Sequence, residues 1–491
     1  MMNGCRLKGA VMGEKLEGLE PQIVFDYFEK ITKITRGSHN EKAISDWLVK
    51  FADKRGLIAY QDEYCNVTIL KPATADMEDK DTVILQAHMD MVCVKDDDAE
   101  TDPAKDPVDV YVDGDYVKAK GTSLGADDGI GMAFILAILA SDDISHPMIE
   151  AVFTACEEEG LIGAGGYDAS RLKGKRFINI DTEEDYHAII GCAGGCRCDI
   201  SSKCKNGKEE GNIYEIGISG LIGGHSGNEI DKGRANANVL MGRLFDLAIP
   251  GCEFKLGNYD GGTRDNAICS SASATVVVRK KQGKAFEKIV KSFTDSVCAE
   301  YAATDPDLKI KCKDKGKGKL EVMSTKDLLR LSTLLKLLPD GVQRYDREED
   351  LVETSANIGV VNARPKGFSV CVSLRSNRDA TLEWMISKVR SIASLAGVTL
   401  ECRGRYPAWE CDKPSDFVLA AAALYRKIFG SDIEITKIHA GLECAIFAGK
   451  IKDIDAISIG PNMDGVHTTS ERLSISSTQR EWKYLTELLK L

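Results

Sequence analysis

Two histidines and a series of carboxylates follow short apolar stretches of this chain. They are His88 and Asp90 in "TVILQAHMDMV", Asp127 and Asp128 in "LGADDGIG", Glu157, Glu158 and Glu159 in "TACEEEG", Asp181 in "FINIDTEE", and His467 in "IGPNMDGVHTTSERL". Singly, each has an ordinary explanation: a locally satisfied histidine, a solvated helix start, a tight turn. Their recurrence at the ends of apolar strands calls for another. In an open α/β sheet, ligands bind outside the carboxyl ends of the strands. If these ends converge, several carboxylates and two imidazoles share one cleft, a repulsion that cations must relieve. Imidazole mixed with carboxylate, without thiolate, suits zinc, or cobalt or manganese in its place, better than magnesium or calcium. The glycines of "GADDGIG" look like those of a phosphate loop, but two aspartates would repel phosphate.

The elements that carry these residues follow from hydrophobic spacing. Pro21 to Arg55 shows helical periodicity broken at "TRGSHN", which predicts two helices. "NVTIL", "TVILQAH", "IEAVFTAC" and "RFINI" are continuous apolar strands, and "AFILAILAS" is apolar all round, hence a buried helix. Buried strands alternating with helices predict an α/β layer with a mostly parallel sheet and helices on both faces. The middle of the chain differs. Strands are expected at "NIYEIGISGLIGGHSG" and "NAICSSASATVVVRKK", with the helix "RANANVLMGRLFDLA" between them. Two stretches, "SATVVVRKKQGKAFEKIVKSF…LKIKCKD" and "FSVCVSLRSNRDATLEWMISKVRSIASLAGVTLECRG", share a strand–turn–amphipathic helix–strand layout. They predict a second, α+β domain of two similar βαβ-containing units, inserted into the first. "KCKDKGKGKLE" is expected to be a solvated charged loop. Strand and helix alternation resumes at "DIEITKIHAGLECAIFAG" and "DIDAISIGP".

Composition narrows the function. With 491 residues the chain should form at least two domains. A net charge of −12 disfavours nucleic acid as a partner, since phosphate binding needs a basic surface. No stretch approaches the ~20 continuous apolar residues of a membrane span. The N-terminus lacks the apolar core of a signal peptide, and about residues 1–18 are expected to be a loose extension. Sixteen cysteines without such a signal point to free thiols in a reducing compartment, so the cytoplasm is expected. Cys192, Cys196, Cys198 and Cys204 lack CxxC spacing and a neighbouring histidine, which argues against a structural zinc among them.

In order, "HMDMV", "GADDGIGMA", "TACEEEG", "INIDTEE", "GGHSG", "GRANAN", "GGTRDNAI", "HAGLECAIF" and "GPNMDGVHTTSERLSI" resemble the motifs of the co-catalytic dizinc peptidases of the aminoacylase and carboxypeptidase group. Within that group the chain is most similar to the cytosolic aminoacyl-histidine (Xaa-His) dipeptidase family, from about Leu19 onward. The resemblance implies a catalytic domain, 1–194 with 404–491, interrupted by a lid, 195–403. It implies two Zn²⁺ ions per chain, with Co²⁺ or Mn²⁺ as substitutes. His88, Asp127 and Asp181 would hold one ion; Glu158, His467 and the bridging Asp127 would hold the other. Asp90, two residues beyond His88 and on the same strand face, would orient that imidazole. A cis peptide is implied after the bridging acid, at Asp127–Asp128.

Glu157 would be the general base, taking a proton from the attacking water and passing it to the leaving amine. Glu159 stands where relatives commonly have a small residue. From the lid, His225 would stabilise the oxyanion, Asn266 would hold the substrate backbone, and Arg375 would bind its terminal carboxylate. Gly441 and Glu443 fall in a substrate-side loop, whereas His39, His146, His187 and His439 are expected to be structural. The implied activity is hydrolysis of small unblocked dipeptides, such as β-alanyl-histidine. Alternatives are an N-acyl-amino-acid deacylase and a non-catalytic peptide- or metal-binding protein. Many relatives dimerise through the lid, so a homodimer is one expected assembly, although a duplicated lid can imitate a partner's contribution within one chain.

Overall fold

The computed structural model describes residues 15–491, so most of the expected N-terminal extension lies outside the described residues. Its last part is not loose: Leu16 is buried in the core and donates its N–H to Glu29 at 3.0 Å. The chain divides into two compact units. The first holds the described residues up to Ile190, Cys411–Thr436 and Leu442–Leu491; the second holds Gly191–Glu410 and Lys437–Gly441.

The first unit is built on an eight-stranded sheet, in the order Ile58–Gln61, Val67–Lys71, Ile149–Thr154, Val83–His88, Arg176–Asn179, Asp455–Ser458, His187–Cys192, Glu434–Ile438. The four strands from Ile149–Thr154 to Asp455–Ser458 run parallel, and the pairs Ile58–Gln61/Val67–Lys71 and Val67–Lys71/Ile149–Thr154 are antiparallel. Register matters here more than strand count. His88 is paired with Thr154, and Gln86 with Asn179, so three neighbouring parallel strands finish at nearly one level. The residues just beyond them, Asp90, Glu157 with Glu158, and Asp181, therefore emerge along one carboxyl edge.

Behind that edge runs the helix Ala126–Ala140, fully buried along most of its length, as its uniformly apolar sequence requires. Its first turn is irregular. Asp127 and Asp128 depart from helical φ/ψ and the peptide bond between them is cis. A four-stranded antiparallel sheet completes the unit, in the order Met463–Asp464, Arg472–Ser474, Tyr116–Ala119, Val110–Asp113. The loop between its first two strands carries His467.

In the second unit a largely antiparallel sheet runs Lys309–Met323, Asn206–Ser219, Ala272–Val278, Phe254–Gly261, Leu351–Arg364, Gly367–Ser376, Gly194–Lys203, Thr399–Tyr406, with Gly341–Asp346 added beside Leu351–Arg364. Two strand–helix–strand segments recur in it. Ala272–Val278 leads through the helix Gly283–Glu300 to Lys309–Met323, and Gly367–Ser376 through Asp379–Ala396 to Thr399–Tyr406. In each, the two strands flank a third that is antiparallel to both.

The expected charged loop "KCKDKGKGKLE" is instead part of the 15-residue strand Lys309–Met323, paired along Asn206–Ser219. Lysine stands at every second position from Lys309 to Lys319, so the segment keeps a period of two even though its exposed face is ionic. Lys315 pairs with Glu215 at 3.1 Å across the ladder. An edge strand studded with lysine also resists pairing with other chains.

Candidate active site

The first unit gathers the strand-end acids and histidines in one place. His88 ends its strand with Nε2 at 2.9 Å from Asp127 Oδ1 and 3.6 Å from Asp181 Oδ1. His467 points its Nε2 at the other Asp127 oxygen, Oδ2, at 3.1 Å, and at the Glu158 carboxylate at 2.8 Å. Asp127 thus offers one oxygen to each histidine. Two sets of three, His88/Asp127/Asp181 and Asp127/Glu158/His467, bring their donor atoms within 4.8 Å of one another. His467 has a left-handed backbone, φ 62°. That conformation costs a non-glycine residue free energy and persists where the surroundings hold the side chain in place.

Carboxylates frame the cluster as well as line it. Asp90, fully buried, lies with Oδ1 3.4 Å from His88 Nδ1 and accepts N–H bonds from Glu157 (2.9 Å) and Glu158 (3.3 Å). One side chain therefore lies at ion-pair distance from the His88 imidazole and fixes the backbone of the glutamate pair. Asp128 turns inward and accepts the N–H groups of His88 (3.1 Å) and Gly131 (3.0 Å). A Cβ on Gly131 would collide with that carboxylate and with the Ile180 carbonyl, which accounts for glycine there. Glu471 accepts from the amides of Leu124, Gly125 and Ala126 at 2.7–3.0 Å, an anion at the start of a helix. The buried Arg36 guanidinium ties the same segment to the strand end through the carbonyls of Met89, Asp90 and Gly125.

Sequence spacing did not single out Arg36, Asp128 or Glu471 as supports. Glu471 lies within "HTTSERL", so its motif was visible although its role was not. The third glutamate of the triplet turns away: Glu159 pairs with His39 at 2.9 Å on the surface.

Charge explains what such a site needs. Burial would raise the Asp127 carboxyl, but hydrogen bonds from His467 and His88 overcome it and hold it well below the usual carboxylate range. Burial and neighbouring anions push Glu157, Glu158 and Asp181 up. Burial alone would lower His467, yet its bonds to Asp127 and Glu158 push it up to about 11. The carboxylates are ionised together only where positive charge lies among them. A cation in each set of three would supply it. Nitrogen and carboxylate donors in sets of three fit a borderline transition metal with a coordination position left open.

Glu443 is fully buried in this unit, with one carboxylate oxygen accepting from Gln86 Nε2 and Thr154 Oγ1, both at 2.5 Å, and the other without a partner. Burial pushes its carboxyl up to about 7. Gly441, two residues earlier, falls in the second unit, so the motif "HAGLECAIF" is divided between the two.

The second unit brings the remaining predicted residues near one another. His225 forms an isolated bridge with Ala267, and Ser226 N–H donates to the Asn266 carbonyl at 2.9 Å, so "GGHSG" and "GGTRDNAI" lie side by side. Arg375 is nearly buried; its Nη1 meets the Tyr406 hydroxyl at 3.2 Å, and its Nε has no hydrogen-bond partner. The Tyr406 ring packs on Gly441, where a Cβ would come within 2.8 Å of it. His439, read as structural, is buried between Ser355 Oγ at 2.7 Å and Asn377 Oδ1 at 2.9 Å. Burial and the nearby positive charges of Arg375 and His225 push it down to about 3, which keeps it neutral. His146 is buried against the Pro147 carbonyl, and His187 pairs with Glu184 at the surface.

Comparison with known proteins places this arrangement. The model of peptidase family M20/M25/M40 matches residues 84–491. The cytosol non-specific dipeptidase of Escherichia coli is 36% identical over 481 residues, 97% of this chain and 99% of that protein. The crystal structure of an aminoacylhistidine dipeptidase from Vibrio alginolyticus superposes with a TM-score of 0.81 at 34% identity, covering 97% of this chain and 98% of the other. An aminopeptidase (PepT) from Bacillus cereus, 16% identical with a TM-score of 0.55 and covering 96% and 98% of the two chains, shares the fold.

Proposed function

The chain belongs to peptidase family M20/M25/M40, and we propose that it is a dizinc dipeptidase of the cytoplasm that cleaves unblocked dipeptides, Xaa-His dipeptides such as β-alanyl-histidine among them. The observation that carries this reading is Asp127, which extends one carboxylate oxygen toward His88 and the other toward His467. The two relatives at 36% and 34% identity are dipeptidases by name, one of them cytosolic. His88, Asp127 and Asp181 would hold one zinc; Asp127, Glu158 and His467 the other. Bound there, the ions would polarise the scissile carbonyl and acidify the attacking water.

The protein's own groups do the rest. Glu157, pinned by the Asp90 bond to its N–H, takes the water's proton and delivers it to the leaving amine. Asp90 holds the His88 ring so that its Nε2 faces the cluster. The second unit acts as the lid. His225 stabilises the oxyanion, Asn266 and Gly441 hold the substrate backbone, and Arg375 accepts the terminal carboxylate. Glu443 supports the site from below, through the strand residues Gln86 and Thr154.

Two substitutions check the supporting roles. Asp90→Asn puts an amide against the N–H groups of Glu157 and Glu158 and leaves His88 without an anionic partner. Zinc affinity, measured by competition with a chromophoric chelator, is expected to fall ~10–100-fold; unchanged affinity would remove Asp90 from that role. Arg375→Ala is expected to cost ~10–100-fold in kcat/KM, the worth of a charged hydrogen bond. The loss should appear with free dipeptides and vanish with dipeptide amides, and equal losses on both would contradict carboxylate binding.

The activity itself is tested with free and N-acetylated dipeptides, assayed with zinc, cobalt or manganese after chelation. Hydrolysis of the free dipeptides alone supports the proposal. Cleavage of the acetylated substrates alone would make the protein a deacylase, and cleavage of neither under any metal would leave a binding protein. For the expected homodimer, a monomer mass in sedimentation would exclude it.

A further inference from the structure

Three sulfur atoms of the second unit converge. Cys196 and Cys198 stand two residues apart on Gly194–Lys203 and so share one face of that strand. Cys402, on the neighbouring edge strand Thr399–Tyr406, lies directly across from Cys198. The three Sγ atoms lie within 4.8 Å of one another, and Cys198 and Cys402 are 4.0 Å apart. Cys196 and Cys198 are buried in the core that the helix Asp379–Ala396 covers, whereas Cys402 is exposed. Chain spacing hides this trio. Cys192 and Cys204, grouped with Cys196 and Cys198 by sequence, take no part, and the third sulfur arrives from some 200 residues further on.

We infer that Cys196, Cys198 and Cys402 form an all-sulfur site for a thiophilic d¹⁰ cation, with Cu(I) favoured over Zn(II). Three sulfurs around a central ion at a metal–sulfur distance of ~2.3 Å lie ~4.0 Å from one another in trigonal geometry. That is the separation found between Cys198 and Cys402. A disulfide would need the same two atoms at ~2.05 Å, roughly half that span. The donor set contains neither imidazole nor carboxylate, and purely thiolate sites select soft ions. Zinc in structural sites takes four ligands almost without exception, and here three sulfurs converge.

The three thiols do not titrate alike: the hydrogen bond with Cys196 and burial push Cys198 up, and burial pushes Cys402 up. The hydrogen bond from Cys198 holds the Cys196 thiol below its usual range against the effect of burial, with Cys402 and the Arg405 charge adding to it and Glu383 opposing. On binding, each thiol would release its proton to solvent. The exposed Cys402 gives the ion a way in. Ligation would also staple the edge strand to its neighbour four residues before Tyr406, the residue that meets Arg375 and Gly441.

The test uses the full chain with its active-site metal in place, under a non-thiol reductant. Cu(I) is supplied as a coloured chelate; the readouts are its transfer to the protein and the copper X-ray absorption spectrum. The expected result is one Cu(I) per chain with three sulfur neighbours. Cys196→Ser, Cys198→Ser and Cys402→Ser should each weaken binding at least ~10-fold, and Cys371→Ser, on the opposite sheet face beside Asp199, should leave it unchanged. Sulfur-ligated zinc bound in its stead, and lost in the same variants, would keep the sulfur site and overturn the preference for copper. Transfer unaffected by Cys402→Ser, whose exposed side chain poses little threat to folding, or copper with nitrogen and oxygen neighbours would overturn the inference.

Discussion

Glu157→Ala is expected to lower kcat by ~10²–10⁴-fold while zinc content and substrate binding stay near those of the unaltered protein. Among the three consecutive glutamates only Glu157 is available for this chemistry. Glu158 is engaged with His467, Glu159 with His39, and Glu157 sits half-buried beside Glu158, Asp181 and Glu443 with its N–H held by Asp90. A base in that position needs its carboxylate free to accept a proton and a backbone that does not drift, and the Asp90 bond supplies the second. Glu157→Gln should lose nearly as much, because the amide keeps the shape and loses the basicity. Turnover close to normal in either variant, with metal retained, would assign the proton transfer to another group.

Asp127→Ala has the other large expected effect. It removes the one carboxylate shared by both sets of donors, leaving His88 with Asp181 and His467 with Glu158. Each ion then has two protein ligands where the open catalytic zinc site ordinarily has three. Metal content should fall well below two equivalents, and activity by ~10³-fold or more, the equivalent of ~4 kcal/mol or more of transition-state stabilisation. Stability gives a reading that does not depend on activity. Zinc at ~1,000 times its dissociation constant stabilises the folded state by ~4 kcal/mol, so it should raise the thermal midpoint of chelator-stripped normal protein and barely move that of the variant. Two tightly held ions in Asp127→Ala would show that the carboxylate does not bridge.

Much of this site was legible in the sequence because the chemistry sits at strand ends. A parallel strand buried on both faces is a continuous apolar run, so the polar residues that interrupt it, His88, Glu157 and Asp181, stand out without an alignment. What spacing could not supply was which distant segments meet. Arg36 and Glu471 hold the Asp127 segment from opposite ends of the chain, and neither differs in type from dozens of surface charges. The cysteine trio was obscured for the same reason, since two of its sulfurs are near in sequence and the third is not. The strand Lys309–Met323 was misread for a different one: its alternation is of lysine with small and polar residues, and hydrophobicity alone does not register it. The hairpin Val110–Asp113/Tyr116–Ala119 did carry a signal. A Gly-Asp pair between alternating residues, with Gly114 at φ 61°, marks a tight two-residue turn.

The lid assignments rest on a different kind of observation. Arg375 keeps a buried Nε without a hydrogen-bond partner, and a guanidinium left partly unsatisfied is a place where an anion would be welcome. His439 beside it is neutral and fully engaged, so it adds no competing charge.

The central claim is that Asp127 lies between two cations. Anomalous diffraction from crystals of the zinc-loaded protein, recorded on both sides of the zinc absorption edge, tests it most directly. The account predicts two peaks ~3.5–4 Å apart, the spacing of co-catalytic pairs, one beside His88 and Asp181, the other beside Glu158 and His467, with Asp127 touching both. A single peak in the cluster, or two peaks with Asp127 bound to neither or to one alone, would contradict it.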